Sequence, residues 1–257
     1  MKPISLLPRR QFLARAAGVT GTLLLAGCDR LSRSEWFANF LASSEKLSSA
    51  AQHLVTSRTS MAQEFSEADL SPTFRSNGTR VPKNSQYLAL AQNNFADYRL
   101  EIAGLVERPM ALSLAELREL PNRTQITRHD CVEGWSAIGK WNGASLSALL
   151  EIAGVMPQAR YAVFYCADPM DDNGAKYYES IDIEDAHHPQ TILAYDLNDQ
   201  ALPIANGAPI RVRVERQLGY KMAKYIMRIE LVESFAPIAG GKGGYWEDNG
   251  YNWYAGI

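Results

Sequence analysis

A cysteine set among an arginine, a histidine and two carboxylates is the position in this chain best suited to chemistry: Arg128-His129-Asp130-Cys131-Val132-Glu133-Gly134-Trp135-Ser136. A thiolate is both a strong nucleophile and a soft metal ligand. Taken alone, Cys131 could equally be a small buried hydrophobe. The chain has two further cysteines, Cys28 and Cys166, and four histidines, two of them the adjacent His187-His188. No CxxC or HExxH spacing exists for zinc, no CxxCH for haem, and no cysteine run for an iron–sulfur cluster. If Cys131 does redox work, its electrons must therefore come from a separate protein. A Cys131–Cys166 disulfide is the competing use, and it excludes Cys131 as a metal ligand.

The N-terminus carries its own signals. Pro8-Arg9-Arg10-Gln11-Phe12-Leu13 has the form of a twin-arginine export signal, followed by a weakly apolar run over 14–26. That run contains Arg15 and is too short to span a bilayer. Leu25-Ala26-Gly27-Cys28 resembles a lipobox, which would make Cys28 a lipidated first residue and anchor the chain to the periplasmic side of a membrane. Asp29 points to the inner membrane. About 230 residues remain after processing, enough for one catalytic domain. With 26 basic and 28 acidic residues the net charge is -2, so the broad basic field of a nucleic-acid binder is absent.

The elements that must position these groups read as α+β and rich in strands. Apolar residues recur at helical spacing over 34–58, and 65–87 reads as extended chain with turns. Strands are expected at 98–106, 124–131, 161–167, 191–197, 210–214 and 225–232, the second delivering Cys131 at its end. Ser113 should cap a short helix stopped by Pro121, and Ser145 a helix over 146–153 ended by Gly154. The loop Asp168–Gly174 superficially resembles a calcium loop, but no EF-hand register fits, and it reads as a surface loop near a pocket mouth. The Gly/aromatic tail over 236–257 reads as a strap wrapping the domain. The organisation expected is a signal over 1–28, an N-terminal helix and extended segment over 29–92, a core over 93–235, and that tail.

Several segments together resemble the sulfite-oxidase-like molybdopterin oxidoreductases, closest in style to their methionine-sulfoxide-reductase branch. They are RHDCVEGWS with the following WNGASLSALLEIAG, Asn93-Asn94-Phe95 with Gly104–Pro109, Asn206-Gly207-Ala208-Pro209-Ile210-Arg211, and Gly219-Tyr220-Lys221-Met222-Ala223-Lys224. The resemblance implies a β-rich molybdopterin-binding domain and a molybdenum–molybdopterin cofactor. Cys131 would be the protein ligand to molybdenum, with Arg128 and Glu133 beside the reacting centre as anion binder and proton carrier. Asn93, Asn94, Phe95, Asn206, Arg211, Gly219, Lys221 and Lys224 would bind the cofactor, the two lysines converging on its phosphate. Arg211, Arg213 and Arg216 are not all expected to line one pocket. The implied reaction is reduction of a small or protein-bound S- or N-oxide with electrons from a membrane cytochrome. Sulfite-type oxidation and a non-catalytic binding lipoprotein are the alternatives. True sulfite oxidases have His where this chain has Asn206, and Pro-Gly where it has Glu215-Arg216, so the substrate is the least determined part of the reading.

Overall fold

The computed structural model describes residues 59–171 and 173–257, together with Ser34, Phe37 and Ser57. The segment read as an export signal, Cys28 and nearly all of the helix expected over 34–58 lie outside the described residues. Residues Val55–Ile257 form one compact unit, which carries the site.

Among its described residues this unit has ten strands and a few short helices, so the architecture is α+β and sheet-rich. The strands are β1 (Leu100–Gly104), β2 (Met110–Leu112), β3 (Asn122–Cys131), β4 (Trp135–Ser145), β5 (Tyr161–Pro169), β6 (Lys176–Asp182), β7 (Ile192–Leu197), β8 (Gln200–Ala201), β9 (Arg211–Arg213) and β10 (Ile226–Val232). The helices are α1 (Ser85–Gln92), α2 (Leu114–Glu119), α3 (Leu146–Ala153), α4 (Ile183–Ala186) and α5 (Tyr245–Asp248). One sheet runs β2-β1-β10-β5-β6, with β1 and β10 parallel; the other runs β3-β4-β7-β8, with β9 added beside β7.

Local chemistry sets the helix ends. Ser113 and Glu116 form a reciprocal capping box at α2, each side chain accepting from the other's backbone N–H at 3.2 and 2.8 Å. Ser145 caps α3, and Gly154 ends it in the left-handed region at φ 70°. The main core forms where Leu146, Leu149, Leu150 and Ala153 of α3 meet Leu100, Ile102, Phe164, Ile229 and Leu231. A smaller cluster surrounds Trp141 with Ile192, Ala194, Leu197, Leu202 and Phe74.

Three departures from the sequence reading matter. The helix α1 begins inside the stretch expected to be extended, with Asn84 accepting from the Tyr87 N–H as its cap. The strand β4 was not expected, because its Gly139, Asn142 and Gly143 resemble turn residues. Those glycines serve close approach instead: a Cβ on Gly143 would stand 2.4 Å from the Leu193 carbonyl oxygen, and one on Gly139 2.8 Å from the Phe74 ring. The strand β6 was also missed, although it delivers the buried Glu179.

Candidate active site

Cys131 is the last residue of β3, paired across the hairpin with Trp135. The loop Val132-Glu133-Gly134 joins the strands, with Gly134 at φ 83° supplying the left-handed residue that such a three-residue connection requires. Strand alternation then fixes what accompanies the thiol. Gln125, Thr127, His129 and Cys131 are buried, whereas Arg128 is exposed on the other side. Cys131 faces a cavity of about 180 Å³ that also touches Glu133, Asp168, Gly219, Tyr220 and Lys224. Burial pushes its thiol pKa up, opposed by the Glu133 backbone N–H. Cys131 and Cys166 are both free, so the disulfide alternative is excluded.

Behind this cavity lies a buried group of charges. Arg211 is fully buried; it donates to the Asn206 carbonyl at 3.0 Å and its guanidinium lies 5.2 Å from the Trp141 ring centre. Burial, and then the neighbouring Arg213, push Arg211 down to about 9. Lys224 donates to the carbonyls of Asn77, Thr79 and Ala205 at 2.5–3.0 Å; burial and then Arg211 push it down to about 7. Burial pushes Asp168 up to about 6. Arg213 is balanced by a two-point contact with Glu215 and also meets His129 at 3.0 Å. The His129 ring is held neutral by burial first, then by Arg213 and Arg211. Setting Arg213 against Glu215 leaves Arg211 and Lys224 with one carboxylate, Asp168 beside Lys224, an excess of positive charge. The donors Asn206 Nδ2 and Arg211 Nε, and the acceptors Asn77 Oδ1 and Asp168 Oδ1, have no partner among the described residues. Buried polar atoms left unpaired are costly, and a polar anion is what this set would satisfy.

The expected site residues divide into two groups. Cys131, Glu133, Gly219 and Lys224 share the cavity, with Asn206 and Arg211 directly behind Lys224. Glu133 is exposed and accepts from the Trp135 indole N–H at 2.9 Å. Gly219 owes its identity to close approach, since a Cβ there would stand 2.4 Å from His129 Nε2. Lys221 does not reach an anion site, because its ammonium is buried between Glu179 and Glu247 at 2.5 and 2.7 Å. Arg128 pairs with Asp130 at 2.9 Å and is directed away from Cys131, from which it lies three positions along one strand and so on the opposite face. Asn93 and Asn94 are exposed, and Asn93 donates to Asp97. Phe95 packs on Tyr87, which in turn packs edge-on against Tyr225, so this trio supports the cavity from outside. Arg211 and Arg213 share one face, as residues two apart in a strand do, and both lie over Trp141.

Several lining residues escaped the sequence reading. Asn77, Gly78 and Thr79 come from the extended segment, and Trp246 and Tyr251 from the tail. Asp168, near the end of β5, and Met170 fall in the stretch read from the sequence as a loop near a pocket mouth, the one signal that pointed to them. Asp172 of that loop is outside the described residues.

Residues 87–237 match the family model of the oxidoreductase molybdopterin binding domain. The putative protein-methionine-sulfoxide reductase subunit YedZ1 of Azospira oryzae is 37% identical over 257 residues, an alignment covering 99% of this chain and 90% of that protein. The protein-methionine-sulfoxide reductase catalytic subunit MsrP of Campylobacter jejuni is 33% identical over 169 residues, 58% of this chain and 57% of its own length. Among solved structures, the sulfane dehydrogenase SoxCD of Paracoccus pantotrophus superposes with a TM-score of 0.48 and 25% identity, covering 54% of this chain and 39% of that one.

Proposed function

Since the chain belongs to the oxidoreductase molybdopterin-binding domain family, we propose that it is the catalytic subunit of an exported sulfoxide reductase acting on methionine sulfoxide, with Cys131 as the protein ligand to a molybdenum–molybdopterin centre. The observation that carries the reading is the site's unmet polarity. A lone buried thiol opens onto a cavity backed by Arg211 and Lys224, with Asn206 Nδ2 and Arg211 Nε unpaired. The donor set fits: sulfur for the metal, and two cations and an amide for the anionic end of the cofactor. When bound, the group supplies a metal that changes oxidation state as an oxygen atom leaves the substrate.

The chain's own residues would bind and orient. Lys224, Arg211 and Asn206 hold negative charge in a region shielded from water, where each contact is stronger than at a surface. Asp168 and Asn77 offer acceptors to the N–H groups of a heterocycle. Gly219 lets the backbone close on His129. Asn93, Asn94 and Phe95 act indirectly, through the packing of Phe95 on Tyr87. Reducing a sulfoxide to a thioether breaks the S–O bond and consumes two electrons and two protons, releasing water. Glu133, exposed at the cavity, is placed to carry those protons. The electrons come from a separate membrane cytochrome, in keeping with the absence of haem and iron–sulfur motifs and with the word subunit in both relatives' names. Twin-arginine export and a lipid on Cys28 would place the protein at the periplasmic face of the inner membrane.

The test is Cys131→Ser in protein purified after native export. The wild type is expected to carry about one molybdenum per chain and to reduce methionine sulfoxide with an artificial electron donor. The variant should lose at least about 10³-fold in turnover, roughly 4 kcal/mol of barrier. Unchanged turnover would remove Cys131 from the chemistry, and sulfite oxidation without sulfoxide reduction would overturn the substrate.

A further inference from the structure

We propose that the C-terminal segment Tyr245–Tyr251 is the specificity element of this site, its Trp246 and Tyr251 rings forming with Tyr220 the wall that receives the S-methyl end of an oxidised methionine side chain. The proposal rests on the function above and assigns residues to it that lie beyond the matched domain, which ends at 237. Trp246, Tyr251 and Tyr220 line the same cavity as Cys131. Their rings form one continuous surface. Trp246 stacks on Tyr251 with centroids 5.3 Å apart and planes 28° apart, and Tyr251 meets Tyr220 edge-on at 5.2 Å. Met170 and Met222 complete the apolar lining.

This wall is held rigidly. Glu247, next to Trp246 in sequence, is fully buried against Lys221. Asp248 accepts from the backbone N–H groups of Gly240 and Lys242 at 2.9 and 3.0 Å and from the Tyr178 hydroxyl. The Tyr220 hydroxyl donates to the Asn252 carbonyl at 2.7 Å, and the Leu218 N–H to the Ala255 carbonyl at 2.9 Å. A four-residue helix with no favourable cap is thus fixed by buried charge, with Trp246 half-buried and Tyr251 38% exposed. Large rings left open to a cavity rather than packed away mark a surface that takes a ligand.

The chemistry of the wall selects the ligand. Sulfur and its attached methyl make favourable contacts with aromatic rings, and methionine side chains adapt to them. Aromatic faces carry negative quadrupole density, so an oxyanion such as sulfite gains nothing from this wall, whereas a neutral, methyl-bearing sulfoxide does. Glu247 is then a positioning residue: it touches no substrate and orients Trp246 through its bond to Lys221.

The experiment uses the molybdenum-loaded protein with N-acetyl-methionine sulfone amide, a non-reducible probe, by calorimetry. N-acetyl-methionine sulfoxide amide serves for kinetics alongside. Trp246→Ala and Tyr251→Ala should each weaken sulfone binding and raise KM for the sulfoxide about tenfold, while Trp246→Phe stays within about threefold of wild type. Molybdenum content read on the same samples confirms that the site is intact. Sulfone affinity within twofold of wild type in both alanine variants would overturn the wall. Absence of sulfoxide turnover in the loaded wild type would overturn the activity on which the wall rests, and it is read separately.

Discussion

Lys221 and Lys224 stand three residues apart in one loop, and a family resemblance pairs them on a phosphate. The fold gives them opposite surroundings. Lys221 is buried between Glu179 and Glu247, two carboxylates for one ammonium. Burial alone would push its pKa down, but the carboxylates outweigh it and hold it above the usual lysine value. Lys224 hydrogen-bonds only to carbonyl oxygens; burial and then Arg211 push it down to about 7, against the weaker opposing pull of Asp168. The first is a finished contact that ties the tail to the core; the second belongs to a group that keeps an excess of positive charge. Equal residue types at close spacing thus perform different tasks, and what distinguishes them is the sign of the charge left over around each.

The largest expected effect tests the finished side. Lys221→Met leaves two buried carboxylates with no cation and should destabilise the protein by about 3–5 kcal/mol, a fall in Tm of roughly 10 °C. Adding Glu247→Gln to that variant should recover part of the loss, because one buried charge is then removed. Thermal unfolding of the three proteins checks this, and an unchanged Tm in Lys221→Met would mean that the cluster does not fasten the tail.

Lys224→Gln tests the unfinished side and should behave with the opposite sign. The amide offers two N–H donors for the three carbonyls and carries no charge. Cofactor-free protein should therefore keep its Tm or gain slightly. Retained pterin should drop about tenfold, the loss of one charge-assisted hydrogen bond. Pterin release measured by fluorescence after denaturation, beside Tm, separates the two effects. If pterin content holds while Tm falls, Lys224 is structural like Lys221.

What could be read in the sequence, and what could not, follows the range of each interaction. The cap of α2 and both ends of α3 depend on Ser113, Ser145 and Gly154, each acting within a turn of its own position, and they were legible. Cys131 at a strand end was legible for the same reason. The partners of Lys221 lie 42 and 26 residues away, so no local pattern announces them. The strand β4 was hidden because Gly139 and Gly143, turn formers by default, are here demanded by neighbouring atoms from distant segments. The cavity walls at Asn77–Thr79, Trp246 and Tyr251 come from outside the stretch carrying the family motifs, where only the fold brings them to Cys131. Arg128 was different: its position three residues before Cys131 on a strand already placed it on the opposite face.

A smaller effect belongs to Glu179. Its carboxyl pKa is raised, first by burial and further by Glu247, against the opposing pull of Lys221. A raised carboxyl favours the folded state while it is protonated, and this contribution is lost as pH rises through the folded-state value. Wild-type Tm should therefore fall as pH is raised from the normal carboxylate range upward, on the order of a few degrees relative to Glu179→Gln. Parallel pH profiles of the two proteins would refute a raised Glu179 carboxyl.

The smallest expected effect sets Arg128 against both lysines. Its side chain is 53% exposed and bonded to Asp130, an ion pair of the surface kind that contributes about 0–1 kcal/mol. It touches none of the residues behind Cys131 except through its backbone, whose carbonyl lies 3.5 Å from Arg213 Nη2, and alanine keeps that carbonyl. Arg128→Ala should thus change kcat/KM for methionine sulfoxide by less than about twofold, a barrier change below roughly 0.5 kcal/mol. A tenfold fall, with molybdenum content preserved, would mean that the guanidinium reaches the reacting centre despite strand alternation. The positive charge serving that centre would then come from the edge of β3 as well as from Arg211 and Lys224.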